Sequence, residues 1–158
     1  GGAVLVRAVE RLRPSHAVYL DPGFGLALPT TGLAGRAFWA IPALTLGVVG
    51  ARQARRSASQ RAVYPESIRE SMKESQRRFD AKMAIGVFRE IAFHPVTIAA
   101  PAVPSTIVLS DESPAVLSDA MAAGLEREGW DIRRIPGVHH DMHLEDPESV
   151  FGILADVL

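Results

Sequence analysis

Ser105-Thr106-Ile107-Val108-Leu109, entered from Pro104, is a short apolar, β-branched run that reads as a buried strand. A loop follows through Asp111, Glu112, Ser113 and Pro114, where Ser113 is a candidate N-cap and Pro114 a candidate first helical residue. Val116, Leu117, Ala120, Met121, Gly124 and Leu125 then recur at helical spacing, and Gly129 closes that helix. Trp130 to Ile135 reads as a second strand, broken by Pro136-Gly137. After a histidine-rich loop, Asp146-Pro147 caps a last helix with Val150, Phe151, Leu154, Val157 and Leu158 on one face. Strand, helix, strand, loop, helix is the rhythm of a parallel sheet with right-handed crossovers, so the expected class is α/β.

Working outward, the first residues repeat that rhythm. Gly2 to Leu12 carries Val4, Leu5, Ala8, Val9 and Leu12 as a helix stopped before Pro14. Ala17-Val18-Tyr19-Leu20 is a continuous apolar strand suited to a sheet covered on both faces, and Asp21-Pro22-Gly23 ends it. From about Thr31 to Phe93 the pattern is helical throughout. Ala37 to Val49 is strongly apolar but short for a membrane span and interrupted by Pro42 and Gly47, so it reads as a buried or lid helix. Pro65 is expected to open one long helix with Ile68, Met72, Phe79, Met83, Val87 and Ile91 in a stripe, ended by Pro95. The domain expectation is therefore an α/β core at 1–30 and 96–158, with a helical insertion at 31–95.

Bulk composition narrows the function classes. Of the 158 residues 47% are hydrophobic and 22% charged, a globular balance. Seventeen basic against eighteen acidic residues leave a net charge of −1, which removes any nucleic-acid role resting on bulk charge. The Arg52, Arg55, Arg56 and Arg61 cluster reads as solvated surface. No cysteine is present, so disulfide scaffolds, thiolate zinc sites and cysteine nucleophiles are excluded. No leader segment is legible, and a cytoplasmic location with no stable membrane insertion is expected.

The chemistry-bearing stretch is Ile135-Pro136-Gly137-Val138-His139-His140-Asp141-Met142-His143-Leu144-Glu145-Asp146-Pro147. A histidine on a loop after a strand and before a capped helix stands where α/β enzymes place catalytic groups. This stretch resembles the last loop of the α/β-hydrolase family, Pro-Gly-x-x-His followed by Glu-Asp-Pro, and the resemblance puts the catalytic histidine on His140. His139, His140 and His143 together are weaker as a metal cluster, since adjacent histidines point apart and no metalloprotease spacing accompanies them. Neither a metal nor a cofactor is implied.

The family's orienting acid follows the strand at 105–109, one residue before a proline, and this chain has Ser113 there. A serine cannot stabilise an imidazolium as a carboxylate does. Asp111 or Glu112 from a shifted register, or Asp21 at the end of the earlier strand, can take that role. Certain haloalkane dehalogenases place their acid after that earlier strand. Turn formation at Asp21 and helix capping at Asp111 and Glu112 are the competing explanations, and Asp21 and Asp111 rank equally.

No Gly-x-Ser-x-Gly elbow occurs in the chain. Gly1-Gly2-Ala3-Val4-Leu5-Val6 is similar to the residues that follow such an elbow, which places the nucleophile two residues upstream of Gly1. The resemblance thus implies a partial α/β-hydrolase fold of about three parallel strands with flanking helices and an inserted helical cap. It implies a Ser-His-Asp hydrolase of hydrophobic acyl substrates, with Phe38, Trp39, Leu44 and Leu46 of the cap facing a greasy group. The upstream segment, present as a separate chain, is then a partner, and the 158 residues alone are catalytically silent. The alternatives are a haloalkane dehalogenase or epoxide hydrolase-like member with an aspartate nucleophile, and a non-catalytic binding member.

Overall fold

The computed structural model describes residues 1–24, 28–62, 64–111 and 117–158. In chain order the elements are α1 (Gly2–Leu12), β1 (Ala17–Leu20), α2 (Gly32–Ala40), α3 (Pro42–Arg56), α4 (Ala58–Ala62), α5 (Glu66–Arg77) and α6 (Ala81–Phe93). They continue with β2 (Ser105–Ser110), α7 (Asp119–Arg127), β3 (Asp131–Ile135), α8 (Met142–Glu145) and α9 (Pro147–Ile153). The chain divides into two units, Gly1–Gly25 with Val96–Leu158, and Leu26–Pro95.

The first unit is an α/β unit built on a parallel sheet ordered β1-β2-β3. Ala17 pairs with Ser105 and Leu20 with Val108, while Thr106 pairs with Asp131 and Ser110 with Ile135. Every residue of β2 is buried, as its unbroken apolar run requires of a central strand covered on both faces. Alternation sends Ile107 and Leu109 to one face, where Val9 of α1 and Ala122 and Leu125 of α7 join them. Val108 points to the other face, into a second cluster with Ile135, Val138, Met142, Val150 and Leu154. Each fully buried aliphatic side chain of this kind contributes roughly 1.5–3 kcal/mol.

Tyr19, Phe24 and Trp130 stack edge-on within the first cluster, with the Tyr19 and Trp130 ring centroids 5.3 Å apart. The indole N–H of Trp130 donates to the Ala99 carbonyl at 2.9 Å, so the buried ring has no orphaned polar atom. At the N-terminal edge of the sheet, Thr106 Oγ1 donates to Asp131 at 2.9 Å and meets His16 Nε2 at the same distance. Arg133 holds both Asp131 and Asp156 there, tying β3 to the end of the chain.

Two expectations for this unit change. The helix after β2 begins at Asp119 and not near Pro114, because Ser118 is its cap, accepting from the Met121 N–H at 3.3 Å. Leu117 therefore precedes the helix; Glu112, Ser113, Pro114 and Val116 lie outside the described residues. In the last helix Asp146 does cap through the Ser149 N–H, and Val150 and Leu154 are buried. Phe151 and Leu158, expected on the same face, are 66% and 77% exposed: Phe151 stands about 100° round the helix from the buried Val150, and Leu158 lies beyond the helix end at Ile153.

In the second unit the described elements are all helical. The apolar stretch from Ala37 to Val49 is two helices, bent by 94° at Ile41, where Pro42 starts α3. No helix among the described residues is by itself long and apolar enough to cross a membrane. The expected long helix from Pro65 is also two. Asp80 accepts from the Lys82 and Met83 N–H groups and starts α6 afresh, so the stripe breaks at Phe79. Neither α3, α5 nor α6 has a fully buried residue, contrary to the buried reading of the apolar helix.

Candidate functional site

The C-terminal ends of three adjacent parallel strands meet where open α/β sheets place their ligands. β1 stops at Leu20, and Asp21 turns the chain with φ of +42°, a conformation that aspartate tolerates better than most residues. Its N–H still donates to the Val108 carbonyl at 2.8 Å, extending the ladder by one residue. The carboxylate is thereby aimed across the end of β2 and is only 2% exposed. Oδ2 accepts the Ser110 hydroxyl at 3.0 Å and lies 2.8 Å from Nδ1 of His140.

The loop after β3 supplies that histidine. Pro136-Gly137 turns the chain, with Gly137 at φ of +74°, and Val138 plugs into the second core cluster. The His139 N–H donates to Glu145 Oε2 at 2.8 Å, and the same oxygen lies 3.1 Å from the His139 ring. Met142 is fully buried on the other side. His140 is held between these anchors with its side chain 57% exposed. Among the described residues its Nε2 makes no hydrogen bond, whereas Nδ1 is fixed against Asp21.

A carboxylate at Nδ1 selects the tautomer protonated there and leaves the Nε2 lone pair as a base. The hydrogen bond from Asp21 raises the His140 pKa above its ordinary value. Partial burial opposes the rise, the charges of Asp21 and Asp141 add to it, and the Gly1 amino group opposes it. At the start of α1, Gly2 packs closely on the turn after β1. A Cβ there would stand 2.7 Å from the Pro22 Cβ, immediately after Asp21.

The two candidate acids therefore differ in position. Asp21 is bonded to His140, while Asp111 is exposed and its carboxylate has no partner among the described residues. The backbone of Asp111 does contribute, donating to the Val138 carbonyl at 3.2 Å and tying the end of β2 to the histidine loop. Glu112 lies outside the described residues. Among those residues no three histidine or carboxylate side chains converge as a metal site requires. Ser110 was not singled out as a site residue in the sequence, where it falls just after the strand at 105–109, at the glycine position of the family's acid loop. Comparison with protein-family models, with curated proteins and with solved structures finds no match to the chain.

Proposed function

We propose that this chain carries the base and the acid of a hydrolase of the α/β-hydrolase type, with His140 moving the proton and Asp21 orienting it. The observation that carries the reading is the 2.8 Å contact between His140 Nδ1 and a buried Asp21, which leaves Nε2 free to act on a reacting group. The family assignment rests on the resemblance of the His140 loop and of the residues after Gly1, with the 31–95 stretch as cap.

In the acyl-transfer mechanism a serine hydroxyl from the segment upstream of Gly1 loses its proton to Nε2 as its oxygen bonds to an ester carbonyl carbon. The imidazolium, stabilised by Asp21, then gives the proton to the departing alcohol as the carbon–oxygen bond breaks. A water repeats both transfers and releases the acid. The position of the acid after β1 favours a second reading, an aspartate nucleophile as in haloalkane dehalogenases. Such a carboxylate attacks without deprotonation, and His140 then serves only the hydrolytic half.

The test uses the chain extended upstream through the nucleophile segment, assayed for p-nitrophenyl butyrate hydrolysis and for bromide release from 1-bromobutane. His140→Ala and Asp21→Asn should each cost about three to four orders of magnitude in turnover, while Asp111→Asn leaves it within about twofold. With a serine nucleophile, His140→Ala also removes the first-turnover burst. With an aspartate nucleophile, the same variant still releases one equivalent of bromide and then stops. Turnover that survives both substitutions at His140 and Asp21 would overturn the assignment.

A further inference from the structure

The second unit has an open apolar groove, about 340 Å3, lined by Leu46, Gly47 and Gly50 of α3, Ile85 and Phe88 of α6, and the exposed Phe79. We propose that it binds the tail of a medium-chain fatty acid, or of a similar anionic amphiphile, with the carboxylate at Arg55. This site is independent of the His140 chemistry.

Its volume stands near the lower end of the range for small-molecule pockets, roughly 300–1,000 Å3. It is about twice the roughly 150 Å3 that holds one benzene ring, which sets a tail of about a dozen carbons. The shape arises from residue size. On α3 the lining positions 43, 46, 47, 50 and 51 follow one helical stripe, and all except Leu46 are alanine or glycine. On α6, Ala81, Ala84, Ile85 and Phe88 form the matching stripe. A Cβ built on Gly47 or Gly50 meets no atom within 4 Å, so the missing side chains leave real space.

The charge at one end selects the head group. Trp39, in α2 three residues ahead of α3, meets Phe93 at the end of α6 with ring centroids 5.4 Å apart, which puts the start of α3 by the end of α6, and the two helices line the groove together. The end of α3 therefore lies by the start of α6. Arg55 continues the α3 stripe one turn beyond Ala51, with Arg52 and Arg56 beside it and Lys82 in the first turn of α6. α3 has no acidic residue, and the Asp80 carboxylate at that end is committed to capping α6. Arg55 is exposed and without a partner among the described residues. An apolar slot with surplus positive charge at one end matches an anionic head on a hydrocarbon tail.

The test is calorimetric titration of the 158-residue chain with dodecanoate below its micellar concentration, and with dodecan-1-ol. One saturable site is expected. Gly47→Leu, which fills the groove from a helical position open to a side chain, should weaken both ligands at least about tenfold with the helical circular dichroism unchanged. Arg55→Glu should weaken dodecanoate about fivefold and leave dodecan-1-ol within about twofold. Gly50→Leu serves as a second filling variant if Gly47→Leu misfolds. Binding that survives filling overturns the proposal. So does partition into phosphatidylglycerol vesicles without saturable binding of the free acid, or self-association through this face that dodecanoate does not compete with.

Discussion

Replacing Asp21 by asparagine keeps its shape and its capacity to hydrogen-bond Ser110 and His140, and removes only the charge. In the folded chain the carboxylate is 2% exposed and touches an imidazole at 2.8 Å that is itself 57% exposed. A hydrogen bond to a charged group contributes about 1.5–3 kcal/mol, and the open side of the ring reduces this toward about 1–2 kcal/mol. The neutral ring keeps its Nδ1–H bond to the carboxylate, so the part of that contribution due to the ion pair exists only while His140 is protonated. The His140 pKa is raised in the folded chain, so the stabilisation is complete below the unfolded value near 6.5 and is lost as pH rises through the folded value. Asp21→Asn should therefore cost about 1–2 kcal/mol in urea unfolding at about pH 5.5, and clearly less at about pH 9, where the neutral amide is also relieved of burying a charge. In parallel, the His140 ring signals in a proton NMR titration should move to a lower midpoint in the variant. A penalty equal at both pH values, or larger in alkali, together with an unmoved midpoint, would refute the pairing as described.

Three further outcomes follow from the geometry. Gly2→Ala drives its methyl into the rigid Pro22 ring, and this overpacking should cost about 1–3 kcal/mol by urea unfolding and shift the His140 titration. Ile107→Ala empties a fully buried site in β2 and should cost about 2–5 kcal/mol, whereas Phe151→Ala on the exposed side of α9 should change stability by no more than about 0.5 kcal/mol. Asp80→Ala removes the cap of α6 and should cost the second unit about 1 kcal/mol, seen as lost helical circular dichroism at intermediate urea.

Two strands were legible because burial on both faces demands continuous apolar runs, which 17–20 and 105–109 have; the charged third strand, Asp131–Ile135, was legible from the turn signals at Gly129 and Pro136-Gly137 that bound it. The exposure of Phe151 and Leu158 was not, since an apolar residue one position off the buried face, as Phe151 is beside Val150, reads like a member of it, and the sequence does not mark the helix end at Ile153. The breaks at Ile41 and Asp80 were overridden by the apolar pattern running through them, although Pro42 and the capping aspartate were in plain view. At the site, the His140 loop stood out through its turn and cap residues. The acid did not, because Asp21 and His140 are adjacent only through strand order, and strand order is a property of the whole sheet.

That strand order has a kinetic consequence. β2 and β3 are joined by a single helix, so their pairing closes a short loop and forms early. β1 must find β2 across the entire 26–95 stretch, since Ala17 pairs with Ser105, and pairing at that separation is slow. His140 follows the early β2–β3 crossover unit, while Asp21 arrives with the late strand. A refolding chain therefore passes through a stage in which the histidine is in place with no carboxylate behind it. Its proton affinity during refolding is then a clock for the last strand to dock.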